Sequence, residues 1–204
     1  MKKYAALLVD MGHTHYNEIA NDGHTLYTAT CSTGQIEEGP VGFSITNLDH
    51  DVVSWRFKPL GEWPFVMITS PGDERLLTNP QVTPRTVVKM PVRVKAWSDR
   101  KLLRGYAEIG DHRVDLEQIE NSAVWQATIQ TDRLPYGINL LTARFEDDYG
   151  KSAEDTIRVV TNPSSGRWKP PNRNPVDNEN AIGAWPVHGI LGTQLGPNKN
   201  GRKW

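Results

Sequence analysis

The 204-residue chain sets 23 Lys and Arg against 24 Asp and Glu, for a formal net charge of −1, so no overall positive field recommends nucleic acid or an anionic membrane as a partner. Its single cysteine, Cys31, excludes an intramolecular disulfide framework. With 37% apolar residues and a mean hydropathy of −0.55, part of the chain is expected to stay poorly packed.

The first residues, MKKYAALLVD, have a basic start and an apolar run, Ala5 to Val9, that ends at Asp10. This run is shorter than the roughly 7 to 15 residues of a signal-peptide core, and no run approaches the roughly 20 residues of a membrane span. The expectation is a cytoplasmic chain without membrane contact. Up to residue 81, short apolar runs alternate with turn residues: AALLVD, TLYTATCS, GFSITNLD, VVSWRFKPL and FVMITSP, separated by NDG, STGQIEEGP and DHD. Runs of this length between Gly, Asn and Asp clusters predict strands and turns.

From residue 82 to 161 the pattern sharpens. VVKMPVRVKAW alternates Val92, Val94 and Ala96 with Arg93 and Lys95, the period of a half-buried strand. AVWQATIQTD, NLLTARFEDD and DTIRVVT follow, with turns at LPYG and DYGK. Four or five strands without helical periodicity predict a small β-sandwich. Leu141, Ala143 and Phe145 should face its core, and Thr142, Arg144 and Glu146 should face water. Trp97 and Trp125 are the expected core aromatics. Asp111, Asp115 and Glu117 read as solvated edges and turns.

Residues 162–204 change character, because 19 of these 43 residues are Pro, Gly or Asn. An irregular tail is predicted. It carries six Lys or Arg against Asp177 and Glu179, a net +4 that leaves −5 on the remainder. Within it AIGAWPVHGILGTQLG is apolar and suited to docking on a neighbouring surface.

The chemistry concentrates in DMGHTHYNEIANDG, residues 10–23. His13 and His15 are two apart, so an extended backbone directs both to one side, and Gly12 allows a close turn before them. Neutral imidazole is a common ligand for zinc and also suits manganese or iron. A catalytic zinc usually takes three protein ligands. Asp10, Asp22, His24 and His50 are candidates for a third, and none stands at a recognised spacing.

LLVDMGHTHYNE resembles the last signature of the calcineurin-like metallophosphoesterases, an apolar strand followed by Gly-His-x-His, and NDGHTLYTATCSTG resembles the strand and turn after it. The resemblance covers roughly residues 4–80. It implies that His13 and His15 each bind one of two divalent ions (Mn, Zn or Fe) that act on a phosphoester. The family's Asp-x-His, Gly-Asp and Gly-Asn-His segments and a further His lie upstream of this signature. Only eleven residues precede Gly12, so the dinuclear centre is expected only if a missing N-terminal half or another protein supplies those ligands. The isolated chain is expected to be inactive.

The stretch LPYGINLLTARFEDDYGKSAEDTIRVVT resembles the last two strands of an immunoglobulin-like or fibronectin type III-like domain. The expected chain is therefore mainly β. Residues 1–81 would form the C-terminal, β-rich lobe of an α/β metallophosphoesterase sandwich, 82–161 an Ig-like β-sandwich and 162–204 a Pro/Asn/Gly-rich tail. The competing expectation is a non-catalytic interaction protein that acts through its Ig-like domain.

Overall fold

The computed structural model describes residues 6–12, 17–21, 25–30, 41–50, 52–78, 89–120 and 122–161. The chain is mainly β. Thirteen strands and a single 3₁₀ turn occur among the described residues, where no helix is long and apolar enough to cross a membrane.

Three short strands open the chain: β1 (Leu8–Met11), β2 (Glu18–Asn21) and β3 (Leu26–Ala29). β3 lies in the middle, parallel to β1 from Leu8↔Leu26 to Met11↔Ala29 and antiparallel to β2. A hairpin of β4 (Gly42–Asp49) and β5 (Val52–Pro59) follows. β5 buries most of its residues because Val53, Trp55 and Phe57 join Ile19, Leu26 and Leu76 in one apolar cluster. The small sheet is too narrow to enclose a core of its own, so the hairpin and the 3₁₀ turn at Glu74–Leu76 close it.

The second cluster lies between two antiparallel four-stranded sheets. The first, in the order β10-β11-β7-β6, uses β6 (Phe65–Ser70), β7 (Lys89–Trp97), β10 (Glu117–Gln118) and β11 (Val124–Gln130). The second, in the order β13-β12-β8-β9, uses β8 (Leu102–Ile109), β9 (His112–Asp115), β12 (Gly137–Asp147) and β13 (Ser152–Thr161). Strand pairing thus spans position 81, since β6 precedes it and β7 follows.

Alternation along β7 and β12 decides what this core contains. Val92, Val94 and Ala96 point inward from one sheet, and Leu141, Ala143 and Phe145 from the other. Their neighbours Arg93, Lys95, Thr142, Arg144 and Glu146 point away. Trp125 meets Phe145 edge to face at 5.2 Å between ring centroids. Trp97 is only half-buried and stacks against Phe65 at 5.8 Å, at the margin of the core. The region holds seven strands rather than the four or five predicted from sequence, because β8, β9 and β10 lack a long alternating run.

Gly150 has a φ of 76° and closes the β12–β13 hairpin, where Asp147 Oδ1 accepts hydrogen bonds from the amides of Tyr149 and Lys151, both at 2.9 Å. Gly105 is required for a different reason: a Cβ on it would come within 2.2 Å of the Phe145 ring. Gly105→Ala is therefore expected to destabilise the chain by about 1–3 kcal/mol through overpacking. A urea titration would show this as a lower midpoint with an unchanged slope.

Candidate functional site

His13, His15, Asp22 and His24 lie outside the described residues. The structure describes the strands that bracket them. β1 ends at Met11, one residue before Gly12, and its parallel neighbour β3 begins at Leu26. Asp10 is exposed at this end, and its Oδ1 accepts a hydrogen bond from Thr28 Oγ1 at 2.9 Å. Among the described residues β1 pairs on one side only, with β3.

The remaining candidate ligand, His50, is at the turn after β4 with a φ of 55°. Its Nδ1 meets Asp49 Oδ1 at 2.9 Å, and Asp49 Oδ2 accepts from Arg93 Nε at 2.6 Å. Burial of Asp49 pulls its pKa up, but the hydrogen bonds from Arg93 and His50 outweigh it and hold the carboxyl below its ordinary value. Asp49 is thereby committed to joining the hairpin to β7. Among the described residues, no group of three or more His, Cys, Asp or Glu side chains is placed to hold a metal ion.

The most organised polar cluster lies elsewhere, where β5, β6 and β13 meet. Among the described residues β6 pairs with a strand on one edge only, that of β7, and Val66 O and Ile68 N find their partners on the other side. Arg56 of β5 donates through Nη1 to Val66 O and through Nη2 to Glu154 O, the latter at 2.9 Å. Asp155 of β13 accepts from Ile68 N at 2.8 Å and pairs with Arg56 Nη1 at 3.0 Å. Side chains of two other strands thus satisfy the edge of β6. Burial raises the Asp155 carboxyl above its ordinary value, against the opposing pull of Arg56 and the Ile68 amide.

Beside this pair runs the segment Asp73 to Leu77. Asp73 caps the 3₁₀ turn, accepting from Arg75 N and Nε at 2.9 Å, and its Oδ2 also accepts from Arg158 N at 3.4 Å. Glu74 pairs with Arg158 Nη2 at 3.0 Å. From the small sheet, Asn21 Nδ2 donates to Arg75 O at 2.9 Å and Leu77 O at 3.1 Å. The cavity next to Arg56, Asp73 and Asp155 measures about 20 Å³. That is room for a single water, far below the ~300 Å³ at which small-molecule sites begin. The cluster is a structural joint.

Lys58 is a second buried cation that sequence reading missed. Only 2% exposed, it donates to Pro59 O at 2.5 Å and to Glu62 O and lies 4.2 Å from the centre of the Trp63 ring. Burial lowers its pKa, with the Glu62 carboxylate opposing. These side-chain contacts close the β5–β6 connection. The only signal in the sequence is the adjacency of Lys58 to Pro59, Gly61 and Pro64, which marks a turn but not its stopper.

No protein-family model and no curated protein matches the chain. Among solved structures it is similar to the endo-β-1,4-mannanase from Thermotoga petrophila, at 13% identity and a TM-score of 0.41, over 51% of this chain and 21% of the other. It is also similar to an engineered protein, at 19% identity and a TM-score of 0.37, over 49% and 20% of the respective chains. The chain spans about a fifth of the length of either structure. At these scores neither likeness bears on function.

Removing one partner of the Arg56–Asp155 pair leaves a buried charge uncompensated. Asp155→Ala and Arg56→Ala are each expected to cost about 3–5 kcal/mol. Arg56→Met with Asp155→Leu should cost well under the sum of the two alanine variants, read from denaturant midpoints. Asp49 gives a pH signature of known sign. Its depressed pKa contributes stability that is full above 3.8, the ordinary value, and is lost as pH falls through the lower folded value. The stability gap between the natural chain and Asp49→Asn should therefore shrink on acidification below pH 3.8.

Proposed function

We propose that this chain is the C-terminal part of a calcineurin-like metallophosphoesterase, with His13 and His15 each supplying one ligand to a pair of divalent ions. The observation that carries the reading is the strand β1 at Leu8–Met11, which delivers the chain directly into Gly12-His13-Thr14-His15. Loops leaving strand ends are where functional side chains gather. The parallel pairing of β1 with β3 further supports a remnant of an α/β sheet, and the single-sided pairing of β1 among the described residues leaves an edge on which further strands of such a sheet would add.

When bound, two divalent ions polarise a phosphoryl oxygen and lower the pKa of a water between them. The imidazoles of His13 and His15 bind and orient; they furnish no bridging carboxylate. Asp10 is the nearest described carboxylate in the sequence, and its Oδ1 is engaged by Thr28. The donor set therefore fits half of a dinuclear centre, and hydrolysis requires Asp-x-His and Gly-Asn-His segments from a missing N-terminal half or a second protein.

A second reading is favoured by one observation, the strand order. Sheets ordered β10-β11-β7-β6 and β13-β12-β8-β9 follow the sequence of strands in an immunoglobulin-like sandwich. In this reading the sandwich is a non-catalytic interaction module.

Calorimetry with Mn²⁺ and Zn²⁺, beside a phosphodiester turnover assay, tests the first reading. The isolated chain is expected to bind weakly and turn over nothing. Adding a polypeptide that carries the upstream signatures should produce tight binding and turnover, both lost in His13→Ala with His15→Ala. Turnover by the chain alone, or restored turnover that survives the double substitution, would overturn it.

A further inference from the structure

We propose that the apolar stretch 181–191 of the tail docks intramolecularly at the start of β12, over Ile138 and Leu140 of the strand and Tyr136 immediately before it. These three side chains are 76%, 49% and 59% exposed. Along β12, Ile138 and Leu140 are followed on the same face by Thr142, Arg144 and Glu146. The ladder between β12 and β8 begins only at Leu141↔Ile109, so this end of β12 is flanked on one side by β13 and has no strand partner on the other among the described residues. Three exposed large apolar side chains within five residues, beside an edge without a strand partner among the described residues, make a docking surface.

Chain geometry selects the occupant. β13 ends at Thr161, in register with Gly137, and Val160 is opposite Ile138. The remaining 43 residues therefore depart one interstrand spacing, ~4.8 Å, from the patch. The 21 positions from Thr161 to Ile182 would span ~25 Å as a random coil, enough to fold back, and a tether of that length would give an effective concentration in the millimolar range. Ile182, Trp185, Val187, Ile190 and Leu191 bring the aliphatic and aromatic surface that the patch lacks, within a segment otherwise rich in Pro, Gly and Asn. The tail carries net +4 and the rest of the chain −5, so long-range attraction favours return over departure.

The test uses the full chain with Tyr136 replaced by photoreactive p-benzoylphenylalanine, irradiated in dilute solution, with crosslinks mapped by mass spectrometry. Crosslinks within the monomer should concentrate on residues 181–191, at a yield unchanged by dilution. Trp185→Ser with Ile182→Ser should lower that yield about tenfold, the factor expected from losing one large apolar contact. Leu103→Ser, at another exposed apolar position, should leave it unchanged. Crosslinks confined to covalent dimers would assign the patch to a second copy. That result, an even spread over 162–204, or no tail crosslink would overturn the proposal.

Discussion

The ion pair between Arg56 and Asp155 ties β5 to β13 across the open edge of β6. A strand at the margin of a sheet presents unpaired amides and carbonyls, and these are costly when covered by apolar surface. β6 is such a strand, with Val66, Met67 and Ile68 almost fully buried. Its outward groups are met by one guanidinium from β5 and one carboxylate from β13. Covering the edge with a further strand would require a row of matching residues. Covering it with one long cationic and one short anionic side chain requires only that both be in place.

Around that pair the 3₁₀ turn at Glu74–Leu76 acts as a three-way connector. Leu76 enters the apolar cluster beneath the hairpin, Arg75 O accepts from Asn21 of the small sheet, and Asp73 and Glu74 reach Arg158 of β13. A buried acidic side chain needs a partner to be tolerated, and each acid here has one. The small sheet is thereby referenced to the sandwich through a few polar contacts, while its packing is provided by Val53, Trp55 and Phe57. β1 of this same sheet ends at Met11, two positions before His13 in the sequence.

Much of the strand content was legible in the sequence because apolar runs bounded by Gly, Asn and Asp leave few alternatives. GFSITNLD coincides with β4, and the alternation of β12 placed Leu141, Ala143 and Phe145 in the core. β8 was harder, since its sequence LLRGYAEI buries Gly105, Ala107 and Ile109, two of which carry little hydrophobic signal. β9 and β10 are too short to show a period. The polar joint was not legible at all: Arg56 and Asp155 are 99 positions apart, and ionisable residues belong by default to the surface. Of the candidate site, the spacing of the two histidines was readable, while the role of Asp49 was hidden by its distant partner Arg93.

The length of chain between Arg56 and Asp155 also sets an order of events. At ~5–20 residues per second, β13 leaves the ribosome several seconds after β5, and until then the guanidinium has no carboxylate to meet. β6 can pair with β7 well before its second edge is closed. The nascent chain therefore passes through an interval in which an apolar strand stands open beside a cation without its carboxylate. Completion of the final hairpin ends that interval, so the last strand synthesised in the sandwich is also the one that seals the first half.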